Sequence, residues 1–425
     1  MQFLDELRWR GLIHQHTPGV EDLLKKGPIT GYCGFDPTAT SMTIGNFVPI
    51  LLLMRLQRSG HKPLALVGGA TGLIGDPSGK SYERKLLDQD ALNANIASFK
   101  NQLSKYLDFS PGAHQAELVN NYDWFKSMDV FTFLRDIGKH ITVNYMLSKD
   151  SVQTRMENGI SFTEFSYQLI QGYDYYWLWK NKGCRLQLAG SDQWGNMTTG
   201  LELIRRMDGG EAHLLTCPLI TKADGTKFGK TEDGALWIDK NLTSPYQFYQ
   251  YWINASDEDV KKYIRMLTFL DEASILEMEA EQAKDPSQRI LQKALGKEIT
   301  SIVHSDEDYR AAMSTSDLMF GKTTPDTLKN IAPNQWENVF RGIPTFKVER
   351  AAIEAGAPVL NLLAELTSIF PSKGEARKML SGGGVALNLE KISSIDLNIT
   401  TDHLIQNKYM VVQKGKKNYH LIIVE

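Results

Sequence analysis

PLALVGGATGLIGDPSGKS, residues 63–81, opens as an apolar run, breaks on two glycines and passes three more before its end. A short apolar run bounded by glycines reads as a buried strand followed by a tight turn. RLQLAG, 185–190, repeats the form. From about residue 30 to 235 such runs alternate with Gly-rich turns and longer segments of helical periodicity, one of them near 161–180. That alternation predicts a parallel α/β sheet, with ligand sites at the carboxyl ends of its strands. Beyond TSPYQFYQYWIN (243–254) the glycines thin out, and DEASILEMEAEQAK (271–284) and SQRILQKALGKEITSIVHS (287–305) predict a mostly helical region. Pro, Gly and Asn punctuate 321–350 as in a linker, and a smaller block from about 351 closes on the strand-like KKNYHLIIVE. The expected division is 1–235, 236–325, a linker at 326–350, and 351–425.

The chain has 425 residues, 42% hydrophobic and 23% charged, which is enough for two or three separate cores. A net charge of -3 excludes a surface basic all over, so any contact with nucleic acid needs a local patch. Cys33, Cys184 and Cys217 are odd in number and lack CxxC spacing, which fits neither a disulfide framework nor a local zinc site. Asp5, Glu6, Arg8 and Arg10 interrupt the apolar N-terminus, and no run of about 18 apolar residues occurs, so neither a signal peptide nor a membrane span is expected. These features predict a soluble chain of the cytoplasm.

Four segments can carry chemistry. GGATGLIGDPSGKS ends like a P-loop, but the spacing fails: Ile74 stands where the first glycine of GxxxxGK[ST] belongs, and Gly75 is one position late. Its glycines still require backbone to approach a ligand or a neighbouring strand very closely. Asp76, just beyond, is either a carboxylate for an ammonium group or the start of an Asx-turn. In SFTEFSYQLIQGYD, 161–174, Ser161 and Glu164 predict a capping box. Tyr167, Gln171 and Asp174 then fall at i, i+4 and i+7, a polar stripe that reads as a pocket wall or as a satisfied surface face. AGSDQWGN, 189–196, suits contacts to a ribose, or an ordinary turn in which Ser191 or Asp192 caps the next helix. TKADGTKFGKT, 221–231, places three lysines around two glycines, a basic loop that either closes over phosphates or is simply solvated. No HExxH, GxSxG or paired Cys/His cluster is present, so metal hydrolysis and serine acyl transfer have no local support. Donors and lysines without a nucleophile suit chemistry by positioning and charge stabilisation, as in phosphoryl or nucleotidyl transfer.

Taken in order, YCGFDPTATSMTIGN, GGATGLIGDPSGKSYERK, SYQLIQGYD, AGSDQWGN and KFGKT closely resemble the bacterial tyrosyl-tRNA synthetase family, and the likeness runs over nearly the whole chain. The resemblance implies a Rossmann-type class I catalytic domain, a helical anticodon-recognition domain and a small α+β RNA-binding module, assembled as a homodimer. It implies an enzyme that turns tyrosine and ATP into tyrosyl-adenylate and pyrophosphate, then passes tyrosine to the 3′ end of tRNA(Tyr). Mg2+ would accompany the ATP, with no built-in metal site. By residue-by-residue transfer, Tyr32 and Asp174 bind the phenolic hydroxyl, and Asp76, Tyr167 and Gln171 hold the ammonium group. Gln193 lies near the substrate carboxylate. Cys33, Gly34, Asp36, Gly45, Gly190, Asp192 and Lys230 fall to ATP, while Thr38, Lys80, Arg84, Lys227 and Lys230 surround the departing pyrophosphate. Lys373, Arg377 and Lys378, on or beside one helix, and the acid-free run of Lys408, Lys414, Lys416 and Lys417 are either the local basic patch that the overall charge conceals or solvated charges.

This chain departs from the family in one signature. Thr43-Ile44-Gly45-Asn46 stands where His-Ile-Gly-His is usual. A neutral histidine there acts mainly as a hydrogen-bond donor, and the Thr43 hydroxyl and Asn46 amide can each donate as well. Ala189 for a glycine and KFGKT for Lys-Met-Ser-Lys-Ser are smaller departures. The competing readings are a tryptophanyl relative, a non-tRNA nucleotidyltransferase, and a synthetase-derived RNA-binding paralogue that has lost catalysis.

Overall fold

The apolar runs are strands of one sheet. The computed structural model describes residues 2–78, 87–156, 159–226, 228–231, 234–320, 328–329, 331, 333, 336–340, 342–415 and 418–425. The chain divides into two compact units, Met1–Asp239 with Ser256–Leu291, and Lys240–Ala255 with Gln292–Glu425.

The first unit is built on β1 (Gln15–His16), β2 (Thr30–Phe35), β3 (Lys62–Val67), β4 (Glu117–Asn120), β5 (Cys184–Gly190) and β6 (His213–Cys217), in the order β1-β6-β5-β2-β3-β4. Strands β2 to β6 run parallel and β1 is an antiparallel edge. Pro63 to Val67 are all buried, as a strand covered on both faces must be. From β2 the chain goes outward to β3 and β4, then returns on the other side to β5 and β6. The switch point therefore falls between the carboxyl ends of β2 and β5, where an open sheet leaves its ligand crevice.

Helix α1 (Ile44–Arg58) follows β2 and buries Ile44, Phe47, Ile50, Leu51 and Leu52. Helix α2 (Phe162–Lys182) starts at Ser161, whose Oγ accepts from the Glu164 N–H at 3.2 Å, and stops at Gly183 in the left-handed region. Only half of the expected capping box forms. The Glu164 carboxylate turns instead to Arg155, accepting two bonds of 2.8 Å, because both groups are buried and each needs the other's charge. Helix α3 (Trp194–Asp208) packs along α2. Helix α4 (Asp257–Leu267) joins the same unit through the guanidinium groups of Arg10 and Arg55, which donate to the carbonyls of Arg265, Met266, Thr268 and Leu270 at 2.8–3.1 Å. The basic loop ends in β7 (Lys230–Thr231), which pairs antiparallel with the short β8 (Gly234–Ala235).

In the second unit the helices Pro245–Ile253 and Asp306–Phe320 pack together. Its main sheet has the order β12-β11-β14-β15-β9, from β9 (Thr345–Val348), β11 (Val385–Leu387), β12 (Glu390–Lys391), β14 (Tyr409–Lys414) and β15 (Asn418–Val424). The short β10 (Ala357–Pro358) and β13 (Asn398–Ile399) pair separately. β9 lies inside the stretch read as linker and pairs in parallel with β15, Thr345 opposite Leu421 through Val348 opposite Val424. Helix α5 (Lys373–Ser381) buries Ala376 and Leu380 against Phe370, Met410 and Ile422, and leaves its charged face in solvent. Among the described residues no helix is long and apolar enough to cross a membrane.

Candidate functional site

A cleft of about 660 Å³ opens at the carboxyl ends of β2 and β5. The paired glycines of the opening motif shape it. A Cβ on Gly68 would sit 2.1 Å from Asp36 Oδ1, and one on Gly69 would sit 2.3 Å from Asn120 Oδ1. Bare backbone lets the side chains at the ends of β2 and β4 close in over β3.

The deep end is made by Tyr32 on β2 and Asp174 on α2, both almost fully buried. Asp174 accepts from Asn121 Nδ2 at 3.0 Å and from Trp124 Nε1 at 2.9 Å. Trp124 is held by Trp177, stacked on it with ring centroids 4.3 Å apart. Burial pushes the Asp174 carboxyl up to about 8, against the pull of its two donors. Burial and the nearby Asp174 charge raise the Tyr32 phenol well above its ordinary value, so it stays protonated. Its hydroxyl is buried and has no hydrogen-bond partner. A buried, unsatisfied donor beside a carboxylate is a place prepared for one more hydroxyl.

Above this lies an acidic wall. Asp36 accepts from Thr71 Oγ1 at 2.6 Å and from the Tyr167 hydroxyl at 2.7 Å. Asp76 accepts from the Ser78 N–H at 3.0 Å, from Gln193 Nε2 at 2.7 Å and from Asn196 Nδ2 at 3.2 Å. Asp76 thus makes the Asx-turn and also lines the cleft. Gln171 lines the same wall with its Oε1 buried and unpartnered. The polar stripe of α2 is a pocket wall, since Tyr167, Gln171 and Asp174 all line the cleft.

The outer end is formed by Cys33, Gly34, Thr38, Thr43, Gly45, Asn46, Gly190, Asp192 and Cys217. All three cysteines are free and buried, and burial pushes the Cys217 thiol up to about 12. A backbone relay ties the start of α1 to the basic loop: the Ile44 N–H donates to Leu236 O at 2.9 Å, and the Leu236 N–H donates to Gly229 O at 2.9 Å. The loop's foot is fixed by Asp259 of α4, which accepts from the Ala223 N–H at 2.8 Å. Phe228 packs on Tyr263 of the same helix, centroids 5.2 Å apart. Lys230 is exposed on β7. Lys80, Arg84 and Lys227 lie outside the described residues, as do Lys416 and Lys417.

In the second unit Lys373, Arg377 and Lys378 are exposed on α5, with Lys373 paired to Glu365 at 2.8 Å. Lys408 precedes β14 and is exposed, whereas Lys414 ends it and donates to Ile369 O at 3.1 Å over the Phe370 ring. These two lysines stand at opposite ends of one strand.

Sequence reasoning missed Asn121, Trp124, Thr71, Gln187 and Asn196. The first two sit in NNYDWF, directly after Leu118 and Val119 of β4. That strand end carries no glycine, the signal by which the other two were found.

Comparison with known proteins agrees with this geometry. A family model described as tRNA synthetases class I (W and Y) matches residues 24–321, and one for the C-terminal domain of tyrosine–tRNA ligases matches 335–422. The tyrosine–tRNA ligase of Bacteroides fragilis is 54% identical over the whole of both chains, and that of Porphyromonas gingivalis 55%. The crystal structure of a C-terminally truncated mitochondrial tyrosyl-tRNA synthetase from Aspergillus nidulans superposes with a TM-score of 0.67 at 32% identity, covering 75% of this chain and 94% of that one. The chain therefore belongs to the class I tRNA synthetases of the tryptophan and tyrosine group, and within it to the tyrosine–tRNA ligases.

Proposed function

We propose that this chain activates tyrosine with ATP and transfers it to the 3′ end of tRNA(Tyr). The observation that carries the reading is the deep end of the cleft, where the unpartnered Tyr32 hydroxyl stands beside Asp174. A phenol entering there accepts from Tyr32 and donates to Asp174. Phenylalanine leaves the buried Tyr32 hydroxyl unpaired and brings Asp174 no donor, and this enzyme class is itself the standard example of such discrimination without editing. An indole has no hydroxyl to offer Tyr32, which disfavours the tryptophanyl reading.

With the phenol so placed, the ammonium group meets Asp76, Tyr167 and Gln171, with Asp36 behind Tyr167. The substrate carboxylate then points toward Gln193 and the outer cleft, where ATP lies along Cys33, Gly34, Gly45, Gly190 and Asp192 with Mg2+ on its phosphates. A carboxylate oxygen attacks the α-phosphorus, the bond to the bridging oxygen breaks, and pyrophosphate leaves. In the second step the terminal ribose hydroxyl attacks the activated carbonyl carbon, releasing AMP and a proton. The lysines at 80, 227 and 230, with Arg84, neutralise the pyrophosphate as it departs. Exposed Arg377, Lys378 and Lys408 suit contacts to the tRNA backbone, with the helical segment 236–325 assigned to the anticodon. Val130, Phe131, Leu134, Val143, Met156 and Phe162 expose large apolar surface within one stretch of the first unit, which suits a homodimer. The cytoplasm supplies all three substrates.

Tyrosine-dependent exchange of pyrophosphate into ATP, run without tRNA and beside a phenylalanine control, tests the activation half-reaction. Exchange with tyrosine alone, lost in Asp174→Ala, is the expected result. No exchange in the natural chain would favour the RNA-binding paralogue.

A further inference from the structure

The altered signature has its own internal geometry. Thr43 precedes α1, and Asn46 occupies the third position of that helix. Asn46 Oδ1 accepts from the Thr43 backbone N–H at 3.0 Å and from the Thr43 Oγ1–H at 2.9 Å. A backbone N–H can only donate, so the atom facing it must be the amide oxygen. This fixes the flip of the side chain. Its NH2 group is turned away from Thr43, no described protein group accepts from it, and Asn46 lines the outer cleft. The Thr43 hydroxyl has one proton, and that proton lies on Asn46. What it has left are lone pairs, which a phosphate oxygen repels.

We propose that Thr43 is a positioning residue, not a nucleotide contact: it locks the Asn46 amide so that Nδ2 donates to an ATP oxygen. One donor thus serves where the sequence offered two. The assignment rests on the ligase reading above, and it divides the roles of two residues that the resemblance treats alike.

Four substitutions test it in pyrophosphate exchange, with thermal melting as the control for folding. Asn46→Asp keeps an acceptor oxygen for both Thr43 bonds and suits a helix N-terminus, so its melting temperature should hold. It replaces the donor with a charged oxygen, and kcat should fall about 100-fold or more. Thr43→Val should lower kcat about 3- to 10-fold, and Thr43→Ser should recover most of that loss. In an Asn46→Ala background, Thr43→Val should change the rate less than about twofold, because the group it orients is gone. A Thr43→Val loss of full size in that background would mean that Thr43 meets the nucleotide itself, and would overturn the proposal. Undiminished exchange in Asn46→Asp would overturn it too. If the natural chain shows no tyrosine-dependent exchange, the ligase reading fails on its own. The same cycle read as ATP affinity by titration calorimetry then decides between coupling and additivity.

Discussion

Replacing Asp174 by asparagine should make the ligand-free protein gain stability on the natural chain as pH rises. In the folded chain the Asp174 carboxyl ionises near 8, chiefly through burial, against an ordinary value of 3.8. Between these limits the folded state holds a proton that the unfolded state has released, so stability falls by about 1.36 kcal/mol for each pH unit. A raised folded value means the contribution is fully present below pH 4 and lost as pH rises through 8. At pH 7 the deficit is about 4 kcal/mol. Asparagine has nearly the same shape and titrates in neither state; its NH2 must face one of the two N–H donors of Asn121 and Trp124, which costs about 1–3 kcal/mol at every pH and leaves the pH dependence untouched. Unfolding in urea between pH 4.5 and 9, following the transition that bound tyrosine shifts, should show Asp174→Asn gaining steadily on the natural chain, by about 1.36 kcal/mol per pH unit up to pH 8. Between pH 4.5 and pH 7 the gain should be about 3 kcal/mol. Calorimetry should show its tyrosine affinity about 10- to 100-fold lower at pH 8.5, for want of the charged acceptor. Stability curves that stay parallel across this range would refute the reasoning.

Trp124→Phe removes one of two donors to the same carboxylate and should raise the KM for tyrosine about 10-fold while leaving the KM for ATP unchanged. Arg155→Met strands the buried Glu164 and should cost about 3–5 kcal/mol in unfolding free energy, most of it recovered by adding Glu164→Gln. Gly229 has φ of 71°, and a Cβ there would lie 2.6 Å from Ile44 Cγ2. Gly229→Ala should therefore unseat the basic loop from α1, lowering kcat about 10-fold and speeding proteolysis within 222–231, with the KM for tyrosine held.

The sheet and the carboxyl-end crevice were legible because apolar runs and glycines mark a covered parallel strand directly. The stripe of Tyr167, Gln171 and Asp174 was legible as a face but not as a pocket, since helical spacing cannot say what lies opposite. Asn121 and Trp124 were invisible for the same reason: their partner is 50 or more residues away in the chain. Glu164 misled because a capping box is a local rule, and Arg155 offered a stronger, buried partner. Thr43 and Asn46 were read as two independent donors, because spacing shows which residues are near but not which proton goes where.

The parallel pairing of β9 with β15 bears on how the C-terminal module can be cut out and studied alone. A fragment begun at 351 would lack Thr345–Val348 and turn β15, with its buried Leu421, Ile422 and Val424, into an open edge. Unsatisfied main-chain groups along an apolar strand are a template for self-association, so that fragment should precipitate or form fibrils. One begun upstream of Pro344, whose carbonyl already accepts from the Leu421 N–H, would carry its own protective edge.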